Sequence, residues 1–384
     1  MNPTIGIIGG GQLGRYLCEA ARPLGIRTRV MTENSSDPAA AFADERVPGS
    51  LDDLAAARRL AAAVDVVTFE IESVGVPVLE FLAAEEAAGR VAVRPSAEIL
   101  LTLRNKASQK RWLVDQGLPT APFRPFEDAA AVLAAEAGGA LTIPFVQKAQ
   151  VGGYDGRGVH IVRERADLAA LLPGPCLVEA FVEHVGELAV LVARGVNGAI
   201  RCYDPVALHF EPERHVLDEA RTPAGLSDAL AEHCQSLGAR TVELMNGVGV
   251  FALELFLKAD GTILINEISP RVHNSGHLTI EACATSQFAQ HMRAVAGLEL
   301  GPVALRSPAV MRNLLWRAAA GPASSVPERV PGSSARVYWY DKTEGRPWRK
   351  MGHLTALGPT VADATAEADA ACRSVLALTN GACG

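Results

Sequence analysis

No apolar run in this 384-residue chain reaches the length of a membrane-spanning helix, and the N-terminus enters a strand-like run without a preceding basic region and apolar segment. Neither export nor membrane anchoring is expected, and the expected location is cytoplasmic. The seven cysteines, Cys18, Cys176, Cys202, Cys234, Cys283, Cys372 and Cys383, form no CxxC pair and no dense disulfide framework, so they read as reduced core thiols. A basic field is missing too. The arginines are scattered, the net charge is −7 and the isoelectric point is near 5.8, which excludes nucleic acid as an expected partner. Lysine is scarce beside arginine, yet Lys106, Lys148, Lys342 and Lys350 all fall within candidate motifs. There is no internal repeat and no Walker A loop, and alanine runs such as 128–140 follow helix propensity.

Core material is ample: 49% of residues are hydrophobic and the mean hydropathy is +0.15, enough for two or three domains. Residues 4–94 alternate strand-length apolar runs (Thr4–Ile8, Thr28–Met31, Val64–Phe69, Val91–Val93) with Ala/Leu-rich helical stretches. That rhythm predicts a parallel, doubly wound sheet. After Pro95 a helix is expected through Trp112, then a Gly117–Pro125 linker and a small α+β lid with strands at Pro144–Lys148 and Val159–Val162. A helix near Leu226–Met245, a hairpin turning at Asp260-Gly261 and a long helix from His277 to Ala296 form a second α+β layer. A Pro/Gly/Ser linker (Gly321–Ser334), further strands and a terminal Ala-rich helix complete the chain.

Three features carry chemistry. Gly9-Gly10-Gly11-Gln12-Leu13-Gly14 follows a strand, opens a helix and matches GxGxxG, with Glu33 at the end of the next strand. A dinucleotide, another phosphate and a ligand-free tight turn all remain open for it. A second glycine loop, Lys148 to Gly158, lies between two strand-like runs: its glycines make a flap whose amides can close over a triphosphate, with Lys148 as a fixed charge, and an ordinary surface hairpin is the alternative. Third, a two-residue turn at Asp260-Gly261 sets Glu254 directly opposite Glu267. Like charges paired on a sheet face are destabilising unless compensated. An oxygen-ligated cation, magnesium or manganese, compensates them; two solvated glutamates are the alternative.

The carboxylate pair, the flap and the run Asn266-Glu267-Ile268-Ser269-Pro270-Arg271-Val272-His273-Asn274-Ser275-Gly276-His277 together resemble the N5-carboxyaminoimidazole ribonucleotide synthetases of the ATP-grasp superfamily. Gly9–Arg15, Glu70-Ile71-Glu72, Gln109-Lys110, Leu118–Pro122, Tyr340-Asp341-Lys342 and Arg349–His353 extend the likeness over nearly the whole chain. The resemblance implies an α/β and α+β chain with the ATP-grasp fold. Its parts would be an N-terminal doubly wound (Rossmann-like) substrate domain over 1–102, an ATP-grasp domain over 103–298 with a mobile lid at about 120–182, and a small C-terminal domain over 299–384 completing the substrate site. It implies a carbon–nitrogen ligase of purine biosynthesis that uses ATP, magnesium and bicarbonate to carboxylate 5-aminoimidazole ribonucleotide through carboxyphosphate, working as a homodimer. The formate-dependent glycinamide ribonucleotide transformylase of the same fold is the alternative; a non-catalytic nucleotide-binding regulator and a dehydrogenase are more distant ones.

By that resemblance, Lys106 and Lys148 contact the phosphates of ATP under a flap comprising Gly153, Tyr154, Asp155, Gly156, Arg157, Gly158 and Val159. Glu179, Ala180, Phe181 and Val182 frame the adenine, Glu187 meets the ribose, and Asn266 lies beside the nucleotide. Glu254 and Glu267 ligate the metal. Arg271, His273 and Asn274 face bicarbonate and carboxyphosphate. Gly11, Gln12, Leu13, Glu70, Glu72, Tyr154, Lys342 and Arg349 take the nucleotide substrate. The chain departs from the family pattern at Lys106, where arginine is usual, and at Ala189, Ser269 and Trp316. Residues 203–217 match poorly, which leaves His209 and His215 without a role.

Overall fold

The structure, a computed structural model, describes residues 2–153, 158–212, 215–323 and 325–383. The N-terminal apolar runs become β1 (Thr4–Ile8), β2 (Arg27–Thr32), β4 (Val66–Phe69) and β5 (Ala92–Val93), joined at the edge by β3 (Glu45–Pro48). The sheet is parallel throughout, in the order β3-β2-β1-β4-β5. Central strands are buried along almost their whole length because helices cover the sheet; those helices include α1 (Gln12–Ala21), α2 (Leu54–Ala61) and α3 (Val76–Ala87). Strand β3 escaped the sequence reading for the opposite reason: of Glu-Arg-Val-Pro only Val47 is buried.

The helix expected from Pro95 through Trp112 is two helices, α4 (Ala97–Leu103) and α5 (Lys106–Asp115). Asn105 divides them, its side-chain oxygen accepting from the amides of Ala107 (2.9 Å) and Ser108 (3.0 Å) as an N-cap. The lid follows as β6 (Phe123–Phe126), α6 (Ala129–Ala137), β7 (Phe145–Ala149), β8 (Val159–Val162) and β9 (Cys176–Ala180). Its antiparallel sheet has the order β6-β9-β7-β8 and encloses its own small core around Phe126, Val132 and Phe145.

The remaining strands build one nine-stranded antiparallel sheet: β10 (Gly186–Arg194), β11 (Ile200–Cys202), β12 (Val206–Phe210), β13 (Leu217–Thr222), β14 (Gly249–Leu257), β15 (Ile263–Ser269), β16 (Ala309–Leu315), β18 (Arg336–Trp339) and β20 (Lys350–Leu357), with β17 (Gly321–Pro322) and β19 (Glu344–Gly345) pairing separately. Helix α7 (Asp228–Met245) lies against β10, and α10 (Val361–Leu378) against β16 and β20. The C-terminal strands do not form a sheet of their own, since β16 pairs with β13. The Gly321–Ser334 stretch is no loose linker either: Val326 and Val330 are buried in the C-terminal core. The expected helix from His277 to Ala296 is broken into α8 (Thr279–Ala282) and α9 (Gln287–Ala296), with Ser286 capping the second through the Ala289 amide at 3.2 Å.

The β14–β15 hairpin corrects the sequence reading twice. Lys258 donates to the Thr262 carbonyl (2.9 Å) and Gly261 to the Lys258 carbonyl (3.0 Å), so the loop holds Ala259, Asp260 and Gly261, three residues and not two. Gly261 adopts φ 83°, which suits glycine. That shifts the pairs nearest the turn by one, to Leu257↔Ile263 and Leu255↔Ile265. A β-bulge then leaves Asn266 unpaired and shifts them back, so that Glu254 opposes Glu267 after all.

Candidate active site

Between the lid and the edge of the large sheet, charged side chains from five elements meet. Lys106 is the first residue of α5, and its amide donates to the Gln150 carbonyl (2.9 Å), which ties the helix start to the segment after β7. Its ammonium bonds the Glu267 carboxylate. Lys148, on β7, lies 3.0 Å from Glu179 on β9 and 2.8 Å from the Asn266 side-chain oxygen on β15. Consecutive strand residues ordinarily face opposite ways. The bulge at Asn266 lets both Asn266 and Glu267 reach lysines of this site.

A third lysine is present that the sequence reading left without a role. Lys110, one helical turn beyond Lys106, is only 2% exposed and lies 2.7 Å from the Thr120 hydroxyl, 3.4 Å from Glu179 and 3.4 Å from the Ile265 carbonyl. Burial lowers its pKa to about 8, against the pull of Glu179. Gln109 beside it holds β15 in place, accepting from the Ile268 amide (2.8 Å) and donating to its carbonyl (3.1 Å).

The two opposed carboxylates differ. Burial, then Glu267 and Glu187, push Glu254 up to about 7. Glu267 lies below the ordinary value, because Lys106 and Lys148 outweigh its burial. Two like carboxylates face each other across the hairpin, an arrangement that a divalent cation between them stabilises. Glu254 and Glu267 are the directly opposed carboxylates, and no group of three or more metal-ligating side chains occurs among the described residues. Such a donor set suits a magnesium ion that completes its shell with phosphate and water. Ala189 on β10 pairs with Glu254 from the other side.

The remaining sequence candidates are distributed as follows. The Ala180 amide donates to the Pro122 carbonyl (2.9 Å), so of the adenine-framing segment this N–H is already engaged. Glu187, raised by burial, lies 3.5 Å from His184. His184 and His215 oppose that rise. Gly153, Gly158 and Val159 frame the flap, and Gly158 has φ 79°; Tyr154, Asp155, Gly156 and Arg157 lie outside the described residues. Arg271 pairs with Glu72 at 2.9 Å, and the His273 imidazole Nε2 lies 3.6 Å from Glu254. The Asn274 amide exchanges two hydrogen bonds with Asn313 (2.7 and 3.0 Å), itself anchored on the Leu217 carbonyl.

The first glycine loop has an occupant of its own. The Glu70 carboxylate accepts from the amides of Gly11 and Gly14, the latter at 2.7 Å. A Cβ on Gly9 would come within 2.3 Å of the Glu70 side chain, and one on Gly11 within 2.9 Å. The GxGxxG pattern thus makes room for an internal carboxylate and not for a pyrophosphate. Gln12 opens α1, and Leu13 points into the core. Lys342 donates to the Lys350 carbonyl (2.7 Å) and lies over the Tyr340 ring, while Arg349 is held by the Glu344 carbonyl (2.7 Å). Arg15 of α1 reaches Asp341 at 3.0 Å, which joins this C-terminal loop to the glycine-loop helix.

Three family models match the chain in order: a ribonucleotide synthetase preATP-grasp domain over residues 1–103, an ATP-grasp domain over 111–288 and a phosphoribosylaminoimidazole carboxylase C-terminal domain over 309–367. The N5-carboxyaminoimidazole ribonucleotide synthase of Synechococcus elongatus is 41% identical over 360 residues, covering 91% of this chain and 88% of the relative. Among solved structures, the Thermotoga maritima N5-carboxyaminoimidazole ribonucleotide synthetase superposes with a TM-score of 0.86 at 34% identity, covering 97% and 98% of the two chains. The Aspergillus clavatus N5-carboxyaminoimidazole synthase, solved with ADP and 5-aminoimidazole ribonucleotide, does so with a TM-score of 0.83 at 33% identity, covering 99% of each.

Proposed function

This chain belongs to the N5-carboxyaminoimidazole ribonucleotide synthase family, and on that footing we propose that the cluster around Glu254 and Glu267 is where it consumes ATP to activate bicarbonate. The chain is an ATP-grasp ligase that carboxylates 5-aminoimidazole ribonucleotide in purine biosynthesis. The formate-dependent transformylase loses its place, because the C-terminal model and the relatives carry the carboxylating names.

Lys106 and Lys148 take the phosphates of ATP. Lys106 bonds Glu267, and Lys148 bonds Glu179 and the Asn266 side-chain oxygen. Glu254 and Glu267 would hold magnesium, which would supply charge neutralisation at the transferring phosphoryl group. A bicarbonate oxygen attacks the γ-phosphorus, the bond to ADP breaks, and carboxyphosphate forms. Cleavage of its C–O bond yields phosphate and carbon dioxide, to which the exocyclic amine adds with loss of a proton. Arg271, planar and cationic, suits the planar oxyanion. His273, aimed at Glu254, borders the same space. Glu72 with Lys342 and Arg349 receives the nucleotide substrate beside the glycine loop that Glu70 shapes, and the Arg15–Asp341 contact supports that reading by joining their two domains.

The observation that carries the proposal is the convergence of Lys106, Lys148, Glu254 and Glu267. ADP release should require bicarbonate and 5-aminoimidazole ribonucleotide together, and Glu267→Gln should abolish it while the circular dichroism spectrum is kept. ADP release indifferent to the nucleotide, or an unimpaired variant, contradicts the assignment. The expected homodimer is a further proposal, which sedimentation equilibrium tests.

A further inference from the structure

The loop 271–277 carries Arg271 and His273, and a buried side chain outside it grips the backbone of His273. Gln287, the first residue of α9, is fully buried. Its Oε1 accepts from the His273 amide at 2.9 Å and its Nε2 donates to the His273 carbonyl at 2.7 Å, so a single carboxamide closes on both backbone groups of that residue. The Gln287 amide donates to the Thr279 hydroxyl (2.9 Å), which in turn donates to the Gly276 carbonyl (2.6 Å). The loop is wrapped tightly: a Cβ on Gly276 would come within 2.6 Å of Gln287 Oε1. With the backbone fixed, Ser275 takes the inner edge of the imidazole, its hydroxyl 2.8 Å from Nδ1, and Nε2 is left facing Glu254.

We infer that Gln287 is a positioning residue for the carboxylation, acting through His273 by holding its backbone so that the imidazole faces the carboxylate pair. The inference rests on the reading of His273 as a group bordering bicarbonate. Only a carboxamide of this length donates and accepts at one site. Glutamate keeps the acceptor and loses the donor, setting a charge against the His273 carbonyl; methionine keeps the volume and loses both bonds. The break between α8 and α9 is part of the device, since it brings the start of α9 onto the loop.

The test compares Gln287→Met, Gln287→Glu, His273→Ala and the double variant His273→Ala/Gln287→Met in bicarbonate- and nucleotide-dependent ADP release. Thermal melts accompany each, and the near-isosteric glutamate variant stands in if methionine does not fold. On the order of a 10- to 100-fold fall in kcat is expected for the Gln287 variants, the scale of a small misplacement of a reacting group. KM for ATP should stay within about twofold, because Gln287 touches neither Lys106 nor Lys148, and in the His273→Ala background the methionine change should cost little more. A kcat within about twofold of wild type in a folded Gln287 variant overturns the inference. So does an undiminished loss in the His273→Ala background, or a rise in KM for ATP that accounts for the fall in activity. A His273→Ala enzyme with wild-type kcat overturns the reading of His273 and this inference with it, whereas an impaired His273→Ala beside intact Gln287 variants overturns the inference alone.

Discussion

At the scale of single residues, the site is a problem in burying lysines. The chain has six, and Lys106, Lys110 and Lys148 share one pocket with Glu179 and Glu267. Lys110 is the most confined. Its pKa of about 8 in the folded protein, against 10.5 for an ordinary lysine, means that the unfolded chain binds more protons between those values. Wild-type stability should therefore rise with pH over that window relative to Lys110→Met. The gain from pH 7 to 9.5 should be about 2 kcal/mol, read from urea melts of both proteins at each pH; parallel curves would refute it. Lys106 and Lys148 were legible in the sequence because each stands in a recognisable motif. Lys110 entered only through the Gln109-Lys110 likeness, which gave it no role. What buries it is Glu179 and Thr120, which arrive from the lid and its approach.

Elements tell a different story, in which local signals were right and their boundaries were not. Both split helices are divided by a side chain that caps better than it propagates, Asn105 and Ser286. The hairpin gave the correct Glu254–Glu267 opposition for an incomplete reason: the extra residue in the turn and the extra residue at Asn266 cancel, and neither irregularity has a period that a strand pattern reveals. The glycine loop was legible as a strand-to-helix turn with room for an anion, but its occupant comes from β4's end, far along the sequence. Glu70→Ala should leave the Gly11 and Gly14 amides without their acceptor and cost about 1–3 kcal/mol of stability, measured by denaturant unfolding. An unchanged midpoint would mean that the loop is built for an external anion.

For the whole molecule, the doubly wound N-terminal sheet, the lid and the α+β order were readable from periodicity, while the single sheet running from β15 to β18 was not, because register between distant strands leaves no local trace. Three parts meet around Tyr16, whose ring packs against Phe288 and His277 of the central part and Tyr338, Tyr340 and His353 of the C-terminal part. Shared strands and this junction predict cooperative unfolding. Tryptophan fluorescence, dominated by Trp316, Trp339 and Trp348 in the C-terminal part, should melt together with the far-ultraviolet circular dichroism, and an earlier fluorescence transition would show the C-terminal part to be independent. The same assembly brings α5, the lid and the β14–β15 hairpin around one carboxylate pair, on which the functional account turns. Manganese binding in the presence of ADP, followed by electron paramagnetic resonance, tests it most directly. Glu254→Gln and Glu267→Gln should each weaken manganese binding at least about tenfold with the fold intact, a loss of at least about 1.4 kcal/mol, whereas wild-type affinity in both variants would mean that the metal lies elsewhere.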